Sequence, residues 1–243
     1  GTGRVNVLKI AATDIATSNV TGGYITKSDK TTGNDPVAWT MSSYAGWTDF
    51  IHELPKPEAV TTQQNSYIYS QFLNLETTSQ TNNIGLINGY PSVIDVPSFV
   101  DFMLVNELAS NADGYQYSTY FHKDRAGKLR AGPIWDFNLT YGNDLFLWGY
   151  DRSHYDVWQF ANGENDGAKF WRDLFNNPTY KCYLSKRWNE LTQTGQPLNY
   201  NSLVQYIDAT VALISEAKVR EQQKWSTVPN QAEEITNLKI WLS

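Results

Sequence analysis

The chain has 243 residues, enough for one domain or for one domain carrying part of another. A hydrophobic share of 41% supports a sizeable core, and a net charge of −6 gives no electrostatic support for a nucleic-acid partner. There is no apolar run of about eighteen residues, so no transmembrane segment is expected; the single Cys182 excludes an internal disulfide framework and a cysteine-based zinc site.

Taken in order, residues 4–10 alternate polar and apolar and predict a strand. Gly22 and Gly23 open a second strand over 24–27. Residues 31–35 are turn material, and 37–41 predict a third strand. A short extended piece over 49–54 stops at Pro55-Lys56-Pro57, because proline restricts the residue before it. Thr61 or Thr62 caps a helix over 63–75, with Ile68, Phe72 and Leu75 on one face. Residues 80–83 and the pair Tyr90-Pro91 read as breaks.

Asp95 then stands where an N-cap belongs, with Pro97 in the first turn. The helix it opens, 96–109, is apolar nearly all round, which marks a buried helix. Asn106 and Glu107 interrupt its end, and their expected partners are neighbouring loops. Beyond Asp113-Gly114, strands over 118–123 and 128–134 form a hairpin whose turn, 124–127, uses Gly127 for a positive φ. The hairpin returns the chain to the helix end, so Asp113 and Asp136 are expected at the same end of it.

Residues 138–167 are irregular, rich in Gly, Asn and Asp, and longer than a plain connector. A helix over 168–175 follows. Asn177 caps another, with Pro178 in its first position, running to about residue 191. One long helix is expected from Asn199 or Asn201 to near Trp225, with Leu203, Ile207, Val211 and Ile214 on one face. A short helix over 232–242 ends the chain. Strands followed mostly by helices, with one hairpin among them, give an α+β fold class.

The chemistry gathers at two carboxylates. Asp136 lies between Trp135 and Phe137 at a strand exit, where burial would require a divalent metal, an N-cap or a salt bridge to Arg130. Asp113 follows a buried helix, where it reads equally as a turn residue. Together they have the layout of a protein-kinase catalytic loop followed by a metal motif, and magnesium needs only one or two carboxylates besides phosphate oxygens and water. His52, His122 and His154 have no ligand spacing, and no Gly-x-Ser-x-Gly elbow marks a hydrolase. The 9 Trp and 15 Tyr suit a filled core, and equally a carbohydrate contact through Trp148, Trp158 and nearby tyrosines.

The segments Asn106-Glu107-Leu108, Asn111-Ala112-Asp113-Gly114-Tyr115, Ser118-Thr119-Tyr120-Phe121-His122-Lys123-Asp124 and Gly132-Pro133-Ile134-Trp135-Asp136-Phe137-Asn138-Leu139 resemble the core of the CotH family, the spore coat protein H-like atypical kinases. Thr21-Gly22-Gly23-Tyr24 followed by Ser28-Asp29-Lys30, which is similar to the family's strand near the lobe junction, agrees with it, as do Asn177-Pro178 and Arg187-Trp188. The resemblance implies an atypical protein-kinase-like fold, mostly its helical C-terminal lobe over 61–243, with 1–60 as a strand-rich remnant of a truncated N-terminal lobe and the lobe junction. It implies ATP- and magnesium- or manganese-dependent phosphoryl transfer to Ser or Thr of a secreted or surface protein, in an exported bacterial chain.

By position, Asp113 would be the catalytic Asp, and Asp136 and Asn138 the metal pole, supported by Asn111, Ser118 and Trp135. Two positions depart from the family pattern. Asn138 replaces a common Asp, and Ser118 stands where a metal-helping Asn is usual; both changes weaken a metal site. No nucleotide-binding residue is assigned. Lys27 and Lys30 are early basic candidates, with a solvated strand edge as the alternative. A non-catalytic kinase-like surface or adhesion module is the second reading, and carbohydrate binding or cleavage the third.

Overall fold

A computed structural model describes residues 5–31, 33–143, 155–163, 165, 167–228 and 230–243. The chain divides into two compact units, Gly1–Leu184 and Ser185–Ser243. The first contains a five-stranded antiparallel sheet. Its strands are β1 (Tyr24–Ser28), β2 (Trp39–Ser42), β3 (Trp47–Leu54), β4 (Thr119–Lys123) and β5 (Leu129–Ala131), in the order β2-β3-β1-β4-β5. Strands from both sides of residue 60 therefore build one sheet.

β1 is central and buried along almost its whole length. β4 alternates, as a half-buried strand should, with Thr119, Phe121 and Lys123 turned inward. Phe121 is the hub of the core. Its ring meets Phe72 at 5.2 Å edge-on, Phe170 at 6.1 Å edge-on, and Phe50, Phe99 and Trp171 at 5.9, 6.0 and 5.9 Å. Those rings come from α1 (Thr62–Gln80), α3 (Val96–Leu108), α4 (Phe170–Asn176) and β3. The sheet and three helices thus share one aromatic core, and each ring pair adds about 0.5–1.5 kcal/mol beyond area burial.

The helix starts follow local chemistry. Thr61 and Gln64 form a reciprocal capping box at α1. Asp95 accepts from the Ser98 N–H at 3.0 Å to open α3. Asn177 accepts from Thr179 and Tyr180 N–H at 3.0 and 3.1 Å, opening α5 (Pro178–Thr192).

Four local expectations need correction. Residues 5–10 form no strand. β3 and β4 occupy both edges of β1, so the segment crosses over instead, tied by the Leu8 N–H to Asp124 at 3.1 Å. The crossing requires Gly23, where a Cβ would come within 2.4 Å of the Leu8 carbonyl and φ is +99°. Tyr90-Pro91 does not break the chain but begins the one-turn helix α2 (Tyr90–Val93), with proline tolerated in its first turn. In the hairpin turn, Ala126 rather than Gly127 takes the positive φ, +55°. Lys123 secures that turn, donating to the Thr21 and Gly127 carbonyls at 2.6 Å each; burial lowers its pKa to about 8.

The fourth correction lies in the second unit. The long helix expected there is two helices, α6 (Tyr200–Leu213) and α7 (Ser215–Trp225), parted at Ile214 where ψ reaches 8° and the regular helical geometry ends. α8 (Gln231–Trp241) follows, joined to α6 through Lys239 and Asp208 at 2.5 Å. No helix among the described residues is long and apolar enough to cross a membrane.

Candidate functional site

The pairing of β1 with β4 explains how the site forms. Ser28, at the end of β1, lies opposite Thr119, at the start of β4. Residues leaving β1 therefore meet the loop 110–118 as it enters β4. Ser28 fastens the junction, donating from Oγ to the Gln116 carbonyl at 2.6 Å.

Asp113 lies in this loop and is 7% exposed. Lys30 reaches its Oδ2 at 3.3 Å and also stands over the Tyr117 ring at 4.8 Å. Asp29 accepts from the Lys30 and Ser118 backbone N–H groups at 2.9 and 3.4 Å. Lys27 pairs with Asp29 at 3.3 Å and Asp35 at 3.5 Å. Burial opposes the Lys27 charge, but Asp29 and its other neighbours outweigh that, and the net pKa shift is upward. Both early lysines are thus held in ion pairs, and Lys30 belongs to the Asp113 turn. A cleft of about 240 Å³ opens beside it, with Asp29, Trp47, Asp49 and Tyr117 on its walls.

The turn is fixed from beneath. Asn106 is 1% exposed, donates to the Phe102 carbonyl at 2.8 Å and accepts from Asn111 Nδ2 at 2.9 Å. Gly114 passes so close that a Cβ there would be 2.7 Å from Asn106 Oδ1. The Glu107 carboxylate accepts from Tyr115 OH at 2.6 Å, the Gln159 N–H at 2.8 Å and the Phe160 N–H at 3.4 Å. Burial raises its pKa to about 7 against the downward pull of those three donors. The residue as a whole is half-buried, but its carboxylate is enclosed by protein. Asn165 adds a bond to the Gly114 carbonyl at 2.7 Å. Asn106 and Glu107 therefore do bond neighbouring loops, as their place in an apolar helix suggested.

Asp136 is placed differently. It follows Gly132-Pro133, is solvent-exposed, and takes φ +60°. Its carboxylate is not buried between Trp135 and Phe137, so the cost that burial would carry there does not arise. Trp135 is itself 49% exposed, so water solvates the neighbouring carboxylate. Nor does Arg130 pair with it; Arg130 joins Asp95 at 2.9 Å. Among the described residues Asp136 has no side-chain partner.

The Asp136 loop still runs beside the Asp113 turn. The Ala112 N–H donates to the Leu139 carbonyl at 3.4 Å, and the Tyr141 N–H to the Ala109 carbonyl at 2.7 Å. Asn138 is exposed within this loop, and its carbonyl accepts from Asn143 Nδ2 at 2.7 Å. Ser118 is buried at the far end of the turn with φ +52°. Among the described residues no group of three or more His, Cys, Asp or Glu side chains could hold a metal ion; Asp113 and Asp136 form at most a pair.

A family model described as CotH kinase protein matches residues 18–243. The chain belongs to the CotH family. No curated protein and no solved structure matches it. The family membership carries the kinase-like character of the domain. Of the aromatic residues weighed for sugar contact, Trp148 and Tyr150 lie outside the described residues. Trp158 packs on Phe160 and Phe175, at 5.9 and 4.9 Å, which gives its ring a structural role. His52 and His122 belong to β3 and β4, where burial lowers both pKa values; His154 lies outside the described residues.

Two features escaped the sequence reading. The Lys30–Asp113 contact depends on long-range strand pairing, which no local pattern reveals. Asn165 and Gln159 join the turn from a segment that reads only as polar loop.

Proposed function

We propose that this CotH-family domain transfers the γ-phosphoryl group of ATP, with magnesium or manganese, to a Ser or Thr hydroxyl of a secreted or surface protein. The observation that carries the reading is Asp113. It is a buried carboxylate in a turn fixed by Asn106, Asn111 and Glu107, ion-paired with Lys30, with a second carboxylate on the adjoining loop.

In this reading the acceptor hydroxyl donates to Asp113, which orients the oxygen and takes its proton as the new O–P bond forms. The bond from the γ-phosphorus to the β,γ-bridging oxygen breaks, and ADP leaves with that electron pair. Lys30 holds the Asp113 carboxylate in one orientation and supplies positive charge beside the transferring group. Asp136 and Asn138 offer hard oxygen donors on an exposed loop, a set suited to magnesium with phosphate oxygens and water completing the shell. When bound, the ion neutralises charge developing on the phosphates.

The test is transfer of labelled γ-phosphate to the chain itself or to a Ser/Thr-containing acceptor, with and without magnesium. Metal-dependent label on serine or threonine, lost in Asp113→Asn, is expected. If Asp113→Asn and Asp136→Asn both keep full biological function while folded, the non-catalytic surface-module reading replaces this one.

A further inference from the structure

Glu107 is the carboxylate that the transfer scheme leaves unused. It receives three donors from two segments that do not adjoin in sequence. Tyr115 OH comes from the Asp113 turn, and the Gln159 and Phe160 N–H groups come from a short 3-10 helix, Gln159–Ala161. Tyr115 is 1% exposed, holds φ +70°, and sits two residues beyond Asp113. Its ring is wedged edge-on against Trp171 at 5.1 Å, Phe102 at 6.2 Å and Phe160 at 6.0 Å. The Tyr117 N–H, in turn, donates to the Asp113 carbonyl at 2.9 Å. Any shift of Tyr115 is thus passed to the backbone that carries Asp113.

We propose that Glu107 is a positioning residue for Asp113, acting through Tyr115, and that its ionisation sets the geometry of the Asp113 turn. This rests on the phosphotransfer reading only for its effect on rate. The ionised carboxylate satisfies all three donors. A protonated one must itself donate, and Tyr115 OH is the nearest oxygen able to accept. The Tyr115 hydrogen must then turn away, and the Met103 carbonyl at 3.5 Å is the alternative acceptor. The direction of the bond reverses, and the geometry by which Tyr115 anchors the turn to α3 changes with it.

The charged surroundings are simple. The Tyr115 hydroxyl is the titratable group facing Glu107 from the turn, and the Gln159–Ala161 helix presents backbone N–H groups only. Tyr180 of α5 acts electrostatically on Tyr115, and Asp101 of α3 acts on Tyr180. Among the described residues no lysine, arginine or histidine forms an ion pair with Glu107. Burial, opposed by the three donors, brings its titration to about 7, inside the working range of a protein.

The experiment is an amide-resolved NMR titration of the whole chain between about pH 5.5 and 8.5, alongside the rate of γ-phosphate transfer. The Gly114, Gln116, Tyr117, Gln159 and Phe160 signals are expected to move together, with one midpoint near neutrality. Glu107→Gln should abolish that inflection, while Glu107→Asp should keep an inflection with a shifted midpoint. Tyr115→Phe removes a donor that favours the charged form, so its midpoint should rise; it keeps the test decisive if Glu107→Gln does not fold. Where transfer is measurable, the wild-type kcat should rise about tenfold from one pH unit below the midpoint to one above, at unchanged KM, and by less than about twofold in Glu107→Gln. Turn signals that ignore pH, an inflection surviving in Glu107→Gln, or an unmoved midpoint in Tyr115→Phe each overturn the proposal. Coupled signals without phosphate transfer at any pH sustain the Glu107 coupling and overturn the phosphotransfer reading instead.

Discussion

The two carboxylates of the site occupy opposite physical settings. Asp113 is buried, and its turn is fixed by an amide pair, a carboxylate, a lysine and a glycine where a Cβ would stand 2.7 Å from Asn106 Oδ1. Asp136 is exposed, takes a left-handed backbone conformation, and has no side-chain partner among the described residues. A rigid setting suits a group that must present one oxygen to one proton. An exposed loop suits a group whose partners arrive with a ligand and bring their own charge. On the proposed reading, the contrast suits pre-organised acid–base chemistry at Asp113 and ligand-completed cation binding at Asp136.

Substitutions at the two poles should therefore fail differently. Asp113→Asn should lower phosphate transfer by about 10²–10⁴-fold, the range for loss of a general base, and added magnesium should not restore it. Asp136→Asn should also lower transfer, but raising magnesium should recover a large part, because binding rather than proton transfer is impaired. Transfer assays over a magnesium series separate the two. Equal rescue of both variants, or of neither, would dissolve the distinction.

Stability should divide along the same line. Asn106→Ala leaves the Phe102 carbonyl and Asn111 Nδ2 without their shared partner, at a cost of about 2–3 kcal/mol. Asp136→Ala removes no side-chain contact among the described residues and should stay within about 0.5 kcal/mol. Denaturant unfolding of both measures this. A marginal effect at Asn106 would show that the Asp113 turn is less constrained than its bonds suggest.

A third test follows from the sign of the Glu107 shift. Its folded pKa, about 7, lies above its ordinary value of 4.5, so the folded state holds the proton longer than the unfolded state. That contribution is fully present below about pH 4.5 and is lost as pH rises through 7, the reverse of an ordinary salt-bridged carboxylate. Melting temperatures of wild type and Glu107→Gln, compared between pH 5 and 8, should converge at the acidic end and separate towards the basic end, the wild type losing more.

How much of this was legible from sequence depended on range. The Asp95 cap and the apolar run announced α3, and polar Asn106 and Glu107 at its end correctly signalled loop partners. Alternation announced β4 as well. The same alternation misled at residues 4–10, because a period-two pattern says nothing about whether a sheet edge is free, and β1 has none. Lys30 stood out only as an early basic residue in a family-like segment; the register of β1 on β4 is what brings it to Asp113. Asp136 looked costly to bury because its neighbours are aromatic, yet Trp135 stands half in water and the cost never arises. Local rules found the cap, the helix and the loop-bonding residues behind the Asp113 turn and missed what tertiary pairing added to it.

The smallest expected effects lie at the exposed pole. Asn138→Asp adds a charged oxygen where a neutral amide stands, and hard cations prefer the carboxylate. The gain should be about tenfold in magnesium or manganese affinity, or less, and it should shrink with added salt because the loop is exposed. Asp136→Gly should do the opposite to affinity while helping the fold. Aspartate at φ +60° costs roughly 1 kcal/mol that glycine does not incur, although glycine gives part of this back by loosening the unfolded chain. The net should be neutral to about 0.5 kcal/mol stabilising, with cation binding gone. Calorimetric titration and thermal melts on the same two proteins read both quantities. A glycine variant that melts well below wild type would mean that the Asp136 carboxylate supports the loop itself, and the contrast between the two poles would no longer hold.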